Sequence, residues 1–410
     1  MIWYIHPAAG GPGHGRYWRA YHFARHWRAD GAECLVIGPG YHHHYASPEV
    51  RTGAREVGGQ PYYFVRTSAY GEGRIGRARA MFEFAIALDL DRGLKRLGDA
   101  NPPKLIIYSS PYPFGVYAAA RLARRYGARF VFEVRDIWPD SVTELTGASR
   151  LHPFVMAAAH AERFAYQRAD QVVSVLPHAL PHMIGRGLAP EKYVHVPNGI
   201  DPADARMAGT APETPCLSRI RELKAQDKFI LVYAGGLGQV NNLEPLLDAM
   251  RLLQDRGVNN VHTLLIGRGD YRDTLKARVQ ARQLTALEFI DQVDKTEIVH
   301  ILAAVDAGYI SLMPSPLFRF GVSPNKIFDY MLAKLPIVYA VEAGNDPVKD
   351  AGAGLTVPPS DPARIADAVA QLASKSQGER AAIGAAGYDY VCAHHDHAVL
   401  SRKMLALMPG

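Results

Sequence analysis

Val232-Tyr-Ala-Gly-Gly-Leu-Gly-Gln-Val-Asn-Asn-Leu243 reads as the end of an apolar strand, a glycine turn and the opening of a helix. A strand that hands over to a helix in this way is the repeating unit of a parallel α/β sheet. The same alternation extends in both directions. That strand is Phe229–Tyr233, and downstream lie short β-branched or aromatic runs at Thr263–Ile266, Leu287–Ile290, Ala307–Ile310, Ile337–Ala340 and Gly354–Val357. Upstream lie Ile2–His6, Glu33–Gly38, Tyr63–Val65, Leu105–Tyr108, Phe130–Val134, Gln171–Val175 and Tyr193–Val196. Stretches of 3.6-residue period, such as Arg16–Ala29 and Gly115–Tyr126, separate them. The pattern predicts two doubly wound, Rossmann-like parallel-sheet domains at 1–200 and 228–387. Residues 201–227, with Pro202, Pro212 and Pro215, read as a connector, and 388–410 as a closing helix. Ligands of such sheets sit at the carboxyl ends of the strands, so a cleft between the halves is the expected working surface.

The bulk properties agree with two domains. The chain has 410 residues, 48% hydrophobic and 21% charged, the profile of a globular protein. It contains no apolar run near the ~18 residues of a membrane span. Met1-Ile-Trp-Tyr-Ile-His6 enters an apolar strand without a basic leader, which argues against a secretory signal. Cys34, Cys216 and Cys392 are far apart, so a disulfide framework or a cysteine zinc site is not expected, and a reducing cytoplasm fits. Residues 1–200 hold 24 Lys+Arg against 16 Asp+Glu, a balance of +8, whereas the remainder carries −2. That asymmetry points to an anionic partner (a membrane surface, a diphosphate or a nucleic acid) or to an arginine-rich solvated face.

Three stretches of the second half suit a nucleoside diphosphate. Gly235, Gly236 and Gly238 let backbone N–H groups approach an anion. In Ile266-Gly-Arg-Gly-Asp-Tyr-Arg272, Arg268 can hold a phosphate through two hydrogen bonds, or simply pair with Asp270. In Arg319-Phe-Gly-Val-Ser-Pro-Asn-Lys-Ile-Phe-Asp-Tyr-Met-Leu-Ala-Lys-Leu-Pro-Ile-Val338, a loop leads into an amphipathic helix with Asn325 and Lys326 in its first turn. Lys326 and Asp329 then share one face, Lys for phosphate and Asp for ribose hydroxyls, or form a surface ion pair.

That last segment, with Ala351-Gly-Ala-Gly-Leu-Thr-Val-Pro-Pro-Ser-Asp-Pro362 after it, resembles the large family of retaining GT-B glycosyltransferases that includes the WbuB-like polysaccharide enzymes. Val194-His-Val-Pro-Asn-Gly-Ile-Asp201 resembles the end of that family's N-terminal domain. The resemblance implies the GT-B fold and a nucleotide-sugar site at Gly236, Gly238, Arg268, Ser323, Asn325, Lys326 and Asp329. It implies a UDP-sugar co-substrate with no metal and no other cofactor. One departure is clear. Of the family's E-x7-E pair, Asp329 occupies the second position, Gly321 lies eight residues earlier, and no Glu occurs from Ile310 to Leu335. Asp329 then keeps the ribose, sugar contacts fall to backbone around Phe320–Ser323, and Arg268 and Lys326 replace the usual Arg/Lys diphosphate pair.

In the first half, Ala8-Ala-Gly-Gly-Pro-Gly-His-Gly-Arg16 places Gly11, Gly13 and Gly15 out of step with G-x-G-x-x-G, which excludes a dinucleotide fingerprint. By resemblance this loop faces the cleft, with Arg16 adding charge beside donor phosphate and acceptor. Phe130-Val-Phe-Glu-Val-Arg-Asp-Ile-Trp-Pro-Asp140 ends a strand on Glu133, Arg135 and Asp136, similar to the D-x-W-P turn of the WbuB-like group. Asp136 is expected to orient or deprotonate an acceptor hydroxyl, or else to pair structurally with Arg135. Ser109–Pro113 can add acceptor contacts. The stretch Gly73–Leu88, with Arg74, Arg77 and Arg79, reads either as an interfacial helix on anionic lipid or as a core-facing helix. Asp89-Leu-Asp91, His42–His44 and His394–His397 are expected to hold no metal.

The expectation is a retaining transferase that moves an N-acetylated hexosamine-type sugar from UDP onto a polyprenyl-diphosphate-linked saccharide for surface polysaccharide. It would work at the inner face of the cytoplasmic membrane, without nucleic acid. Asp136, Lys326 and Arg268 are the expected catalytic residues. A GT-B nucleotide-sugar epimerase and a non-catalytic sugar-nucleotide-binding partner protein are the alternatives.

Overall fold

The computed structural model describes residues 1–71, 73–203 and 211–409. Contacts divide it into two compact units, Met1–Asn198 with His397–Gly410, and Gly199–Asp396.

The first unit is built on eight strands: β1 (Ile2–Ile5), β2 (Cys34–Pro39), β3 (Gly53–Val57), β4 (Gln60–Val65), β5 (Leu105–Ser109), β6 (Arg129–Val134), β7 (Gln171–Ser174) and β8 (Tyr193–His195). Their order across the sheet is β3-β4-β2-β1-β5-β6-β7-β8. Every residue of β1, β2 and β5 is buried, because helices cover both faces of a parallel sheet and leave near-continuous apolar runs. β3 departs from the expected pattern. It pairs antiparallel with β4 through Gly58-Gly59, both at positive φ (55° and 78°), a geometry that suits a two-residue hairpin. Its Ala54, Arg55 and Glu56 are exposed, so no apolar run announces it.

The second unit has six strands: β9 (Phe229–Ala234), β10 (Val261–Ile266), β11 (Leu287–Ile290), β12 (Ala307–Ser311), β13 (Ile337–Ala340) and β14 (Gly354–Thr356), in the order β11-β10-β9-β12-β13-β14. All described pairings in it are parallel. Along β9 the side chains alternate. Ile230 and Val232 enter one core with Phe328 and Met331, whereas Leu231 and Tyr233 enter the other with Leu246, Leu247 and Leu372.

Two boundaries differ from the sequence expectation. The connector 201–227 falls partly outside the described residues, at 204–210. Its last part, Pro215–Ala225, is a helix capped by Thr214, whose hydroxyl accepts from Leu217 N at 3.3 Å. Pro215 opens this helix, where its missing N–H is no loss. The 388–410 stretch is divided between two helices. Gln377–His394 belongs to the second unit, and His397–Leu405 to the first. The break is held by His395, which stacks on Phe328 at 4.2 Å and accepts from Ile200 N at 2.8 Å. Beyond it, Leu400 and Met404 join the core of Phe23 and Trp27, and Trp27 Nε1 donates to Ser401 O at 2.8 Å.

Candidate functional site

In the second unit the carboxyl ends of β9 and β10 carry the two glycine turns, joined backbone to backbone. Gly235 N donates to Ile266 O at 2.9 Å, Leu237 N to Arg268 O at 2.8 Å, and Tyr271 N to Leu237 O at 3.1 Å. A Cβ on Gly267 would collide with Gly235 O, and one on Gly269 with Leu237 O, so the turns meet only as glycines. A Cβ on Gly235 would collide with the Lys326 side chain, which arrives from the first turn of the Asn325–Leu332 helix.

Lys326 Nζ donates to the Tyr233 hydroxyl and to Asn241 Oδ1 at 3.1 Å, and lies 4.2 Å over the Tyr233 ring. Tyr233 in turn donates to Gly236 O at 2.7 Å, and Asn241 Nδ2 donates to the same carbonyl at 2.9 Å. Both partners of the ammonium are neutral, and burial lowers its pKa from 10.5 to about 8. The helix has no acidic residue in its first turn and no side-chain cap, so its positive dipole end also opposes the lysine. An anion placed here would relieve both penalties. Lys326 does not bond Asp329, the half-buried carboxylate one turn on.

The helix expected to open directly at the glycine turn begins later. A single 3-10 turn, Gln239–Asn241, and the left-handed Asn242 intervene before the Glu244–Asp255 helix. Ser311 Oγ fixes them by donating to the carbonyls of Asn241 at 2.6 Å and Asn242 at 3.2 Å. The delayed helix carries its own carboxylate, Glu244, hydrogen-bonded by Tyr271 and Arg278.

Arg268 is exposed between its glycines and forms no ion pair with Asp270. Gly236 and Gly238 flank Asn241, whose Nδ2 would lie 3.9 Å from a Cβ on either. Ser323 is half-buried and Asn325 exposed at the helix entry. Backbone contacts around Phe320–Ser323 are narrower than the sequence implied, because Gly321 N donates to Phe318 O at 2.9 Å. Val322 N also donates to Asn345 Oδ1 at 2.7 Å, and Val322 O accepts from Asn345 Nδ2 at 3.0 Å.

In the first unit the glycine loop folds back on itself. Gly10 N donates to Tyr17 O at 2.9 Å, and Gly11 bridges Gly15. Buried His14 packs against Tyr45 at 4.1 Å and Phe64 at 4.8 Å, leaving Gly13 at φ 67° and Arg16 exposed. At the end of β6, Glu133 is fully buried and accepts from Arg19 Nε at 2.9 Å, from Tyr4 and from Ser109. Burial alone would raise its carboxyl. Arg19, Arg135 and those hydrogen bonds bring it below the ordinary value. Asp136 is exposed and does not pair with Arg135. Arg135 N donates to Ser110 Oγ at 2.9 Å, and its Nη2 reaches Asn198 Oδ1 at 3.4 Å. Surrounding protein raises the Asp136 carboxyl and Arg135 partly offsets this.

The Arg74–Leu90 helix has two apolar sides. Phe84 and Leu88 are buried, whereas Ile75, Ile86 and Leu90 are 87%, 58% and 65% exposed. No helix among the described residues is long and apolar enough to cross a membrane. Asp89 pairs with Arg121 at 2.9 Å, and Asp91 caps the Arg92–Ala100 helix by accepting from Leu94 N at 2.8 Å, both structural duties.

Residues 13–199 match the family described as Glycosyl transferase 4-like domain, and residues 228–375 match Glycosyl transferases group 1. The chain belongs to the GT-B glycosyltransferases. Over 189 residues it is 25% identical to the putative colanic acid biosynthesis glycosyl transferase WcaI of Escherichia coli K12, covering 46% of this chain and 45% of that one. The chain thus matches under half the length of that curated relative. The crystal structure of HepE of Anabaena in complex with UDP superposes with a TM-score of 0.68 at 16% identity, covering 99% of this chain and 98% of that one. WaaG, described as a glycosyltransferase involved in lipopolysaccharide biosynthesis, gives 0.65 at 13% identity over 100% of both chains. At these identities the likeness is one of fold.

Proposed function

We propose that this chain is a retaining glycosyltransferase of WbuB-like type. It moves a sugar of the N-acetylated hexosamine type from a UDP-sugar to a polyprenyl-diphosphate-linked saccharide in surface polysaccharide biosynthesis. The carrying observation is Lys326, a cation held by neutral Tyr233 and Asn241 beside a glycine turn and an uncapped helix start. HepE was crystallised with UDP and with UDP-glucose, and WcaI and WaaG are named for colanic acid and lipopolysaccharide, which supports the donor and the pathway class.

In this reading the diphosphate lies against Gly236, Gly238, Lys326 and Arg268, the ribose against Asp329, and the sugar near Ser323 and Asn325. The anomeric C–O bond breaks, UDP leaves with the electron pair, and Lys326 and Arg268 stabilise the charge that develops on it. The acceptor hydroxyl forms the new bond on the same face, and its proton passes to Asp136, whose raised carboxyl is the better base. Gly11, Gly13, Gly15 and Arg16 belong to the acceptor side. No metal takes part. The exposed Ile75, Ile86 and Leu90, with Arg77 and Arg79 on the same helix, lie on the anionic inner face of the cytoplasmic membrane. A screen of UDP-sugars by thermal shift, followed by transfer to a short-chain prenyl-diphosphate saccharide, tests the reading. Absence of any stabilisation by UDP or its sugars would refute it.

A further inference from the structure

Two side chains at the carboxyl end of the first sheet end in buried donors that no described residue accepts. Ile5 pairs with Tyr108, and Ser109 with Glu133, so His6 stands level with Ser109 and Glu133. Arg135 follows in the bend just past β6, near enough for its charge to act on His6, Glu133 and Tyr4. His6 is 2% exposed, and its Nδ1 accepts from Ala8 N at 2.9 Å. A backbone amide can only donate, so the ring proton resides on Nε2, and Nε2 is buried without an acceptor. Burial first, and then the charge of Arg135, keeps the ring neutral. Arg135 Nη1 is likewise buried without an acceptor, while its Nη2 is engaged by Asn198. The carboxylate nearest in register, Glu133, accepts from Arg19, Tyr4 and Ser109 and from neither of these two donors. Native proteins seldom leave such donors unmet, and two at neighbouring strand ends mark a place for an acceptor oxygen.

We propose that His6 Nε2 and Arg135 Nη1 form an oxyanion subsite for the acceptor, taking a phosphate or carboxylate oxygen beside the hydroxyl engaged by Asp136. The assignment rests on the reading of the first unit as the acceptor side. It divides the labour by chemistry. His6 and Arg135 only donate and so select an anionic oxygen, whereas Asp136 only accepts and so selects a hydroxyl. A lipid-linked diphosphate and an acidic sugar both present the required oxygen, and they differ in the probe that binds.

The full chain, saturated with UDP, is titrated with inorganic pyrophosphate in one arm and glucuronate in the other. Calorimetry gives affinity, and the ¹⁵N shift of the His6 ring reports contact at Nε2. His6→Phe keeps a ring against Tyr17, 5.9 Å away, but removes the donor; Arg135→Met removes the guanidinium. Each is expected to weaken the binding probe by about tenfold or more, with UDP affinity within about threefold and His6→Gln partly restoring it. Binding of pyrophosphate alone names the phosphate source, and binding of glucuronate alone the carboxylate. The subsite is overturned if neither probe binds, if both variants bind like wild type, or if they lose UDP instead. Should wild type not bind UDP, the donor reading fails by itself. Pyrophosphate titration of Lys326→Ala, with and without His6→Phe, then still tests the pair.

Discussion

Replacing Lys326 with methionine keeps most of the side chain's length and removes its charge. The lowering of the pKa from 10.5 to about 8 corresponds to about 3 kcal/mol of lost hydration at neutral pH. Because the folded-state value lies below the unfolded one, this penalty is fully present below about pH 8. It fades as the pH rises from there towards 10.5. A bound diphosphate favours the ammonium, so UDP binding should take up a proton above about pH 8. Affinity for UDP should therefore be flat from pH 7 to about 8 and then fall, approaching a limit of about tenfold per pH unit. Lys326→Met should bind UDP about 10–100-fold more weakly at pH 7, the size of a hydrogen bond to a charged group, and show no fall above pH 8. Without ligand, the relieved burial penalty of about 3 kcal/mol is matched or exceeded by the two lost bonds of the ammonium to Tyr233 and Asn241, about 1.5–3 kcal/mol each, so the variant should be no more stable than wild type at pH 7. Calorimetry from pH 7 to 9.5 in buffers of different ionisation enthalpy measures affinity and proton uptake together. A wild-type affinity independent of pH across that range, or a methionine variant with the same fall, would remove Lys326 from the diphosphate.

Asp136→Asn should lower transfer by about 10²–10⁴-fold while UDP affinity stays within a few-fold, and a fully active variant would end its role as base. Gly267→Ala puts a Cβ against Gly235 O at φ 144°. It should cost about 3 kcal/mol in denaturant melts and weaken UDP binding, whereas an unchanged midpoint would refute the close approach of the turns. Binding to anionic vesicles should weaken as salt rises, since the Debye length shrinks to about 3 Å at 1 M. Ile86→Asp should weaken it further, and salt-insensitive binding would exclude the electrostatic part.

The sequence disclosed those parts of the molecule that local rules determine. Strands buried on both faces, such as β1 and β5, appear as apolar runs, and glycine turns appear wherever backbones must touch, as at Gly235 and Gly267. β3 escaped because an edge strand with exposed Ala54, Arg55 and Glu56 has no run to read, although Gly58-Gly59 signalled its hairpin. Lys326 was legible as a cation at a helix start. Its neutral cradle was not, because Tyr233 and Asn241 lie 93 and 85 residues away in the chain and meet it only through the sheet. Arg135 beside Asp136 invited a local pair, yet the guanidinium turns to Asn198, 63 residues on. His6 looked like the last residue of a strand. Only the Ala8 N–H on its Nδ1 shows which nitrogen holds the proton.

The same tertiary contacts explain why the missing glutamate is not a simple exchange. Gly321, where the resemblance expects the family's first Glu, has φ 91° and ψ 170°, a region that costs a side-chain-bearing residue about 1–3 kcal/mol. Asn345 then holds the next residue from both sides, through Val322 N and Val322 O. The backbone of this loop at Gly321 and Val322 is therefore already hydrogen-bonded to the protein itself. The donors that remain for a sugar in the proposed reading are those at the uncapped start of the Asn325–Leu332 helix. A helix start offers N–H groups and positive potential where a glutamate would offer a negative acceptor. In the proposed reading this helix start meets the oxygen lone pairs of a donor sugar, and the neutral Asn325 amide oxygen, rather than a carboxylate, is left to accept its hydroxyl protons. Specificity for the transferred sugar then leans, in that proposed reading, on its acceptor groups, of which an N-acetyl carbonyl is the strongest on a hexosamine.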